Sequence, residues 1–299
     1  MKKKFFYVAA SIGLFNLQTA MGDTQPDSLG LPGDNFNLYG AMDLFKQSEN
    51  AEDFEKAINS ADNSINNLDL NNDGEVDYIK VIDHSVGDDK VLILQAVISE
   101  NESQDVAAIE MEKKSNDNVS LQIVGDEALY GKNYIVEPKP ENDVAPGRAA
   151  PSRVVTHVHV NVWGWGGPRW MYRPAYVVWA SPYKWRYYPI WWKPWRPSPW
   201  AVYHPRVIRY HHPYYHRVYV YNAPRAHKVY YGHRTTSSTV RDRYKVPVDR
   251  RERINRESRP ADVRQKPAVK RDATNMQHER KAVKKTRKTN RKSVNGPRK

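Results

Sequence analysis

The charges of this chain are divided between its two halves. Residues Asp23 to Pro140 contain 25 Asp and Glu against 8 Lys, a net charge of −17, and the first arginine is Arg148. From Glu141 to Lys299 there are 36 Lys and Arg against 9 Asp and Glu, a net charge of +27. This division restricts what the chain can fold into. An acidic segment without arginine suits a folded, cation-binding domain, whereas a strongly basic segment suits contact with polyanions.

The first 22 residues have the pattern of a secretory signal peptide. Residues 2–4 are lysines, Phe5 to Leu14 is apolar, and Ala20-Met21-Gly22 provides small residues for a cleavage site. The alternative is a retained membrane anchor, but Phe5 to Leu17 is shorter than the ~20 apolar residues that a spanning helix needs. We therefore expect an exported protein that is periplasmic, displayed on the cell surface or secreted, with no membrane span after cleavage. Because the chain has no cysteine, its core or a bound metal must stabilise it.

The acidic half has the pattern of one α+β domain, which we place at residues 29–138. Apolar residues at three-residue spacing predict an amphipathic helix, and Asn50 followed by Asp53 predicts the capped start of a second helix. Strand-like stretches follow at Val76 to Asp83, Val91 to Ser99, Val106 to Glu112 and Val119 to Val124. We expect two N-terminal helices packed on a small antiparallel sheet, with Tyr134-Ile135-Val136 as a further strand.

The basic half lacks the pattern of an ordinary second core. Residues 139–152 are a predicted linker, and residues 153–233 form a region rich in aromatic residues, proline and histidine. All 9 Trp lie between Trp163 and Trp200, and 10 Pro lie between Pro168 and Pro224, a density that predicts an irregular backbone. From residue 234 to 299 there are 23 Lys and Arg against 7 Asp and Glu, with a single Tyr and no Trp or Phe. That composition predicts a disordered basic tail.

The most specific local pattern is a calcium-type loop that starts at Asp69. Oxygen-bearing side chains stand at its relative positions 1, 3, 5 and 9, and glycine stands at position 6. Asp69, Asn71, Asp73 and Asp77 would supply side-chain oxygens to calcium, and Glu75 would supply its backbone carbonyl. The alternative is an Asx-rich turn, but three converging carboxylates without a cation would repel one another.

This loop resembles the calcium loops of EF-hand, dockerin and FG-GAP-type repeats. It departs from the EF-hand because Lys80 stands where the bidentate glutamate would be, and because the predicted loop leads into a strand. Affinity in the weak extracellular range, roughly 10⁻⁴ to 10⁻³ M, and a structural role for calcium are therefore expected. The whole chain is similar to uncharacterised exported bacterial proteins that join an acidic domain with such a loop to a basic region rich in Trp, Tyr and Pro. That resemblance implies no known activity.

The basic half offers two further candidate sites. Its interleaved rings and cations suit polysaccharide, lipid headgroups or single-stranded nucleic acid, although the same rings could instead pack on one another and on the acidic domain. Its histidines could meet on a transition metal, but no spacing matches a zinc signature, and solvent-facing positions on a strand are the simpler explanation. These histidines are His157, His159, His211, His212 and His216.

The sequence contains no phosphate-binding glycine loop, nucleophile elbow or zinc-protease motif, so no catalytic residue is assigned and an enzyme is not expected. The expected function is that of an exported calcium-binding protein of structural or adhesion type. Its basic aromatic region would associate with polysaccharide, lipopolysaccharide or extracellular nucleic acid, and would also be attracted to the acidic half. A secreted hydrolase acting on a surface polymer and an extracellular nucleic-acid binding protein are the alternatives.

Overall fold

The structure, a computed structural model, describes residues 28–140, 159–210 and 214–257. The predicted signal peptide and most of the predicted linker lie outside the described residues. The helices are α1 (Leu38–Gln47), α2 (Ala51–Ile58), α3 (Glu127–Tyr130), α4 (Gly166–Met171), α5 (Trp200–Val207), α6 (Pro224–His233) and α7 (Ser238–Glu257). The strands are β1 (Ile79–Asp83), β2 (Asp89–Val97), β3 (Ser103–Ser115), β4 (Asn118–Gly125), β5 (Ile135–Pro138) and β6 (Tyr215–Val218).

The six strands form one antiparallel sheet in the order of the sequence, β1-β2-β3-β4-β5-β6. Five of them lie where the acidic half predicts strands, because alternating or continuous apolar stretches and the turns at residues 87–89 and 116–118 fix their positions. The last strand, β6, comes from the basic half and pairs with β5, with Ile135 opposite Val218 and Pro138 opposite Tyr215. The sheet therefore contains backbone from both halves of the chain.

Both predicted N-terminal helices are present and pack over one face of the sheet. In α2 the Asn50 side chain accepts a hydrogen bond from the Asp53 backbone N–H at 2.8 Å, as its capping pattern predicts. In α1 the residues Tyr39, Met42 and Phe45 are buried, which confirms the apolar stripe. The predicted α+β class is thus confirmed, with a six-stranded sheet in place of a small one.

The prediction of an irregular region at residues 153–233 is wrong at four elements, α4, α5, β6 and α6. Proline there does not exclude helices, because Pro224 begins α6, where the missing N–H would have had no helical partner. Pro205 lies inside the short helix α5. Between α4 and α5 the chain contains no helix or strand, as its proline content predicts.

The prediction of a disordered chain from residue 234 is wrong as far as Glu257, because α7 extends over Ser238–Glu257. Chain entropy is offset there by contacts with the acidic half. Val240 is fully buried, and the Ser237 Oγ donates to the Glu102 carboxylate at 2.7 Å. Residues 258–299 lie outside the described residues. No helix in the described part of the chain is long and apolar enough to cross a membrane.

The apolar residues of both halves share one core. On the face covered by α1 and α2, the largest cluster of buried side chains includes Val162, Trp170 and Met171 from the basic half. The Trp170 ring meets the Phe45 ring edge-on, with centroids 5.9 Å apart. On the opposite face, Ala226 and Tyr230 of α6 pack against strands β2 and β3. The basic half therefore covers both faces of the sheet.

Candidate calcium loop and cationic aromatic surface

In the loop that starts at Asp69, carboxylate side chains accept hydrogen bonds from backbone N–H groups of the same loop. The two carboxylate oxygens of Asp69 accept hydrogen bonds from the N–H groups of Asp73 and Gly74 at 3.1 and 3.0 Å. An Asp73 oxygen accepts from the Glu75 N–H at 2.9 Å. Gly74 has φ +85°, which glycine adopts without strain. The carboxylates of Asp69 and Asp73 are thus held against the backbone of the loop.

Asp77 closes the loop from its buried end. Its side chain is almost fully buried and accepts a hydrogen bond from the Leu70 N–H at 2.6 Å. Burial raises the pKa of Asp77 to about 8; the Leu70 N–H opposes this shift, and the carboxylates of Asp69 and Asp73 add to it.

All the donor atoms predicted from the sequence lie on this one loop, and all are oxygens, as calcium requires. Their arrangement is not that of a converged site, because the described residues contain no group of three or more His, Cys, Asp or Glu side chains that could hold a metal ion. Calcium would have to draw the carboxylates together. Of the predicted histidine ligands, His157, His211 and His212 lie outside the described residues, and His216 lies in β6.

The basic half contacts the loop at two points. The Arg243 guanidinium, on α7, donates a hydrogen bond to the Leu70 carbonyl within the loop. On the other side, the Val76 N–H donates to the Trp195 carbonyl at 2.8 Å. A cation that binds the loop would therefore share it with a guanidinium, and calcium and Arg243 repel each other.

Buried carboxylates on the sheet bind donors from the basic half, a role that the sequence did not reveal. Asp126 accepts from the Arg234 guanidinium at 2.5 and 3.1 Å, and Glu110 pairs with the His227 imidazole at 2.8 Å. Glu112 accepts from the N–H groups of Arg225 and Ala226. Unsatisfied N–H groups at a helix N-terminus favour such an anion, so Glu112 anchors the start of α6.

One sequence signal could have identified this interface. In β3 the acidic residues Glu110 and Glu112 alternate with Ile109 and Met111, so one face of the strand is apolar and the other is acidic. An acidic face is usually exposed to water. Here both side chains are fully buried. The excess of Lys and Arg that follows in the same chain indicated that the basic half could cover this acidic face.

Lysines of the acidic half hold the aromatic layer by cation–π contacts. Four of them lie over rings of the basic half, with the Nζ atom 5.2–5.8 Å from the ring centroid, a distance at which such contacts are attractive. The pairs are Lys46 over Trp165 at 5.2 Å, Lys56 over Trp191 at 5.8 Å, Lys90 over Tyr172 at 5.5 Å and Lys113 over Trp163 at 5.6 Å. Much of the aromatic tract is therefore a structural layer on the acidic domain.

The burial of carboxylates leads to a pH prediction. Burial raises the pKa of both Asp105 and Glu137 to about 7, against the hydrogen bonds that each accepts. The unfolded chain releases these protons near pH 4, so between about pH 4 and pH 7 the folded state binds more protons. The free energy of unfolding should consequently fall as pH rises from 5 to 8, as measured by urea denaturation at each pH.

The matched variant is Glu137→Gln, because glutamine can still accept the hydrogen bond that Asn222 Nδ2 donates to Glu137. We expect this variant to have a shallower pH dependence than the wild type. The same change at the exposed Glu100 should leave the slope as it is. Identical slopes for all three proteins would contradict the assignment of Glu137.

One part of the basic half carries cations without any acidic residue near them in the sequence. Between residues 159 and 210 there are eight Lys and Arg and no Asp or Glu. None of the eight forms an ion pair with another described residue. Instead, Lys184 lies over the Tyr187 ring at 5.1 Å and Arg186 over the Trp185 ring at 5.9 Å. We call residues 184–196 the cationic aromatic surface.

This surface is held in a fixed conformation. Lys184 and Tyr187 exchange backbone hydrogen bonds at 3.3 and 2.8 Å, which forms a tight turn with Arg186 at φ +62°. Behind it, the Trp192 ring is buried and meets the Tyr78 ring edge-on at 5.1 Å. Exposed cations on rigid aromatic supports are suited to anionic ligands, since little side-chain order has to be gained on binding.

Comparison with models of known protein families, with curated proteins and with solved structures finds no match to this chain.

Proposed function

We propose that this chain is an exported calcium-binding protein of structural or adhesion type that associates with anionic polymers or surfaces of the cell envelope or its surroundings. The observation that carries this proposal is the group of eight cations between residues 159 and 210, with neither an acidic neighbour in sequence nor an ion pair to another described residue. Carboxylates elsewhere in the chain are occupied by Arg225, His227 and Arg234. Positive charge at the cationic aromatic surface is left for an external anion.

We expect the partner to bind a surface that is already folded. Because Lys184 and Arg186 lie over aromatic rings, a bound anion can be contacted by the cation and by the ring beside it. Electrostatic attraction brings any polyanion to such a surface, and it weakens with salt over a screening length of roughly 8 Å at physiological ionic strength.

The test is binding of the full chain to lipopolysaccharide, DNA and a neutral glycan at several salt concentrations. We expect binding to the two anionic polymers, weakening as salt rises, and none to the neutral glycan. The double variant Lys184→Glu/Arg186→Glu should weaken binding strongly. The same charge change at the exposed residues Arg250 and Arg253 of α7 is the matched control and should have a smaller effect. Binding that ignores both salt and the Lys184/Arg186 change would contradict the proposal.

Calcium should raise the melting temperature of the full chain through the loop at Asp69. Binding only to the folded state adds roughly 1.4 kcal/mol at a tenfold excess of calcium over its dissociation constant. Asp73→Ala should remove the effect, because it deletes the central carboxylate of the loop. Asp62→Ala, outside the loop, should leave it intact.

Arg243→Ala gives the complementary change. Removing the guanidinium beside the Leu70 carbonyl relieves its repulsion of calcium, so the dissociation constant measured by calorimetry should fall. An unchanged melting curve in millimolar calcium would refute the calcium site. Equal calcium affinities in wild type and Arg243→Ala would show that α7 does not act on it.

A further inference from the structure

The turn from Pro189 to Trp192 presents an aliphatic side chain to the outside. Its closing hydrogen bond runs from the Trp192 N–H to the Pro189 carbonyl at 3.0 Å, which leaves Ile190 and Trp191 at the corner. Ile190 is 99% exposed, and Trp191 is 41% exposed. A fully exposed isoleucine at such a corner buries no apolar surface in the fold of its own chain, so it adds no hydrophobic stabilisation.

The turn cannot fold inward to hide Ile190, because its base is fixed. The Trp192 ring is buried and contacts the Tyr188 ring at 4.6 Å and the Tyr78 ring at 5.1 Å. Lys56 lies over the Trp191 ring at 5.8 Å. These contacts hold the corner in one orientation, with the isoleucine outward.

Cations and rings flank this corner on both sides along the chain. Lys184 and Arg186 precede it, Lys193 follows it, and Tyr187 is 69% exposed. An aliphatic tip with Trp, Tyr and cations around it is the composition of segments that lie at a membrane interface. The aliphatic group enters the acyl boundary, the rings lie among the headgroups, and the cations contact lipid phosphates.

We propose that the Pro189–Trp192 turn docks this protein on the surface of an anionic lipid bilayer. The inference rests on the proposed function, of which it names the partner. A lipid surface is favoured over a sugar or a nucleic acid because those ligands stack on aromatic faces and contact cations, but offer no apolar layer that would bury an isoleucine.

The test is co-sedimentation of the full chain with vesicles of phosphatidylcholine alone and of an equal mixture of phosphatidylcholine and phosphatidylglycerol. We expect binding to the mixed vesicles, loosened by salt, and little binding to the neutral ones. Ile190→Ser should weaken binding to the mixed vesicles roughly tenfold, because an aliphatic side chain no longer moves from water into the bilayer. Val86→Ser is the matched control, because Val86 is 61% exposed in the turn between β1 and β2. It should bind as the wild type does.

A parallel measurement on DNA separates this inference from the proposed function. Ile190→Ser should bind DNA as tightly as the wild type, because the isoleucine has no role in contacting a soluble polyanion. If the wild type binds DNA but not the mixed vesicles, or if Ile190→Ser binds the vesicles unchanged, the lipid inference is overturned and the proposed function stands. If the wild type binds none of DNA, lipopolysaccharide and the mixed vesicles, both are overturned.

Discussion

Replacing Arg234 with alanine should lower the free energy of unfolding by about 3–5 kcal/mol, the usual cost of breaking a buried ion pair by removing one partner. The Asp126 side chain is fully inaccessible to solvent, and the Arg234 guanidinium contacts both of its carboxylate oxygens. Burial raises the pKa of Asp126, while Arg234 opposes that shift. Without the guanidinium, the buried carboxylate must stay unpaired or take up a proton, and either costs stability.

Arg241→Ala is the matched control for this variant. Its guanidinium is 62% exposed and pairs with the exposed Asp242, so urea denaturation should show only a small loss. The double variant Arg234→Ala/Asp126→Asn should lose less than the two single variants together, because it removes the unpaired charge. If Arg234→Ala were as mild as Arg241→Ala, the ion pair between Arg234 and Asp126 would not be part of the folded state.

Trp170→Ala should cost about 3–5 kcal/mol, the range for truncating a large buried aromatic side chain to alanine. Trp170 is 4% exposed, and its ring packs on Phe45 in the core shared by both halves of the chain. Its truncation would leave a cavity against α1, and the ring-to-ring contact would also be lost.

Trp200→Ala provides the comparison within the same aromatic tract. Trp200 is 38% exposed at the start of α5, so its truncation should cost clearly less in the same denaturation experiment. Equal losses in the free energy of unfolding would show that the burial of a tryptophan does not determine how much it stabilises the fold. A negligible loss at Trp170 would mean that the aromatic tract does not belong to the core.

The sequence predicted the acidic half well because its patterns are local. The alternation in β1 to β5 and the Asn50 cap depend on neighbouring residues, and each was found close to its expected position. The partner of β5 could not be found in this way, because β6 comes from 77 positions further along the chain when counted from Pro138 to Tyr215. Pairing over such a separation depends on the whole fold and leaves no local pattern.

The basic half was judged by its composition, and composition does not reveal covering contacts. Beyond residue 234, the excess of Lys and Arg and the lack of Trp and Phe predicted disorder, yet Arg234 and Val240 dock on the acidic half. The acidic half contributes buried hydrogen-bond acceptors to these contacts. The sequence of the tail alone carries no information about them. For the proposed calcium loop, the spacing from Asp69 to Asp77 predicted the donor atoms. It could not show Arg243 beside them, because that contact joins residues 173 positions apart.

We expect both halves of the chain to form one cooperative folded body that carries the cationic aromatic surface. Equilibrium urea denaturation with two probes tests it most directly. All 9 Trp lie between Trp163 and Trp200, so every fluorophore that contributes to the tryptophan signal lies in the basic half. Amide hydrogen exchange in β3 reports on the acidic half. Both probes should give the same midpoint of the urea transition, as expected for a single cooperative unit. Loss of the tryptophan signal at a lower urea concentration, with β3 amides still protected, would contradict it.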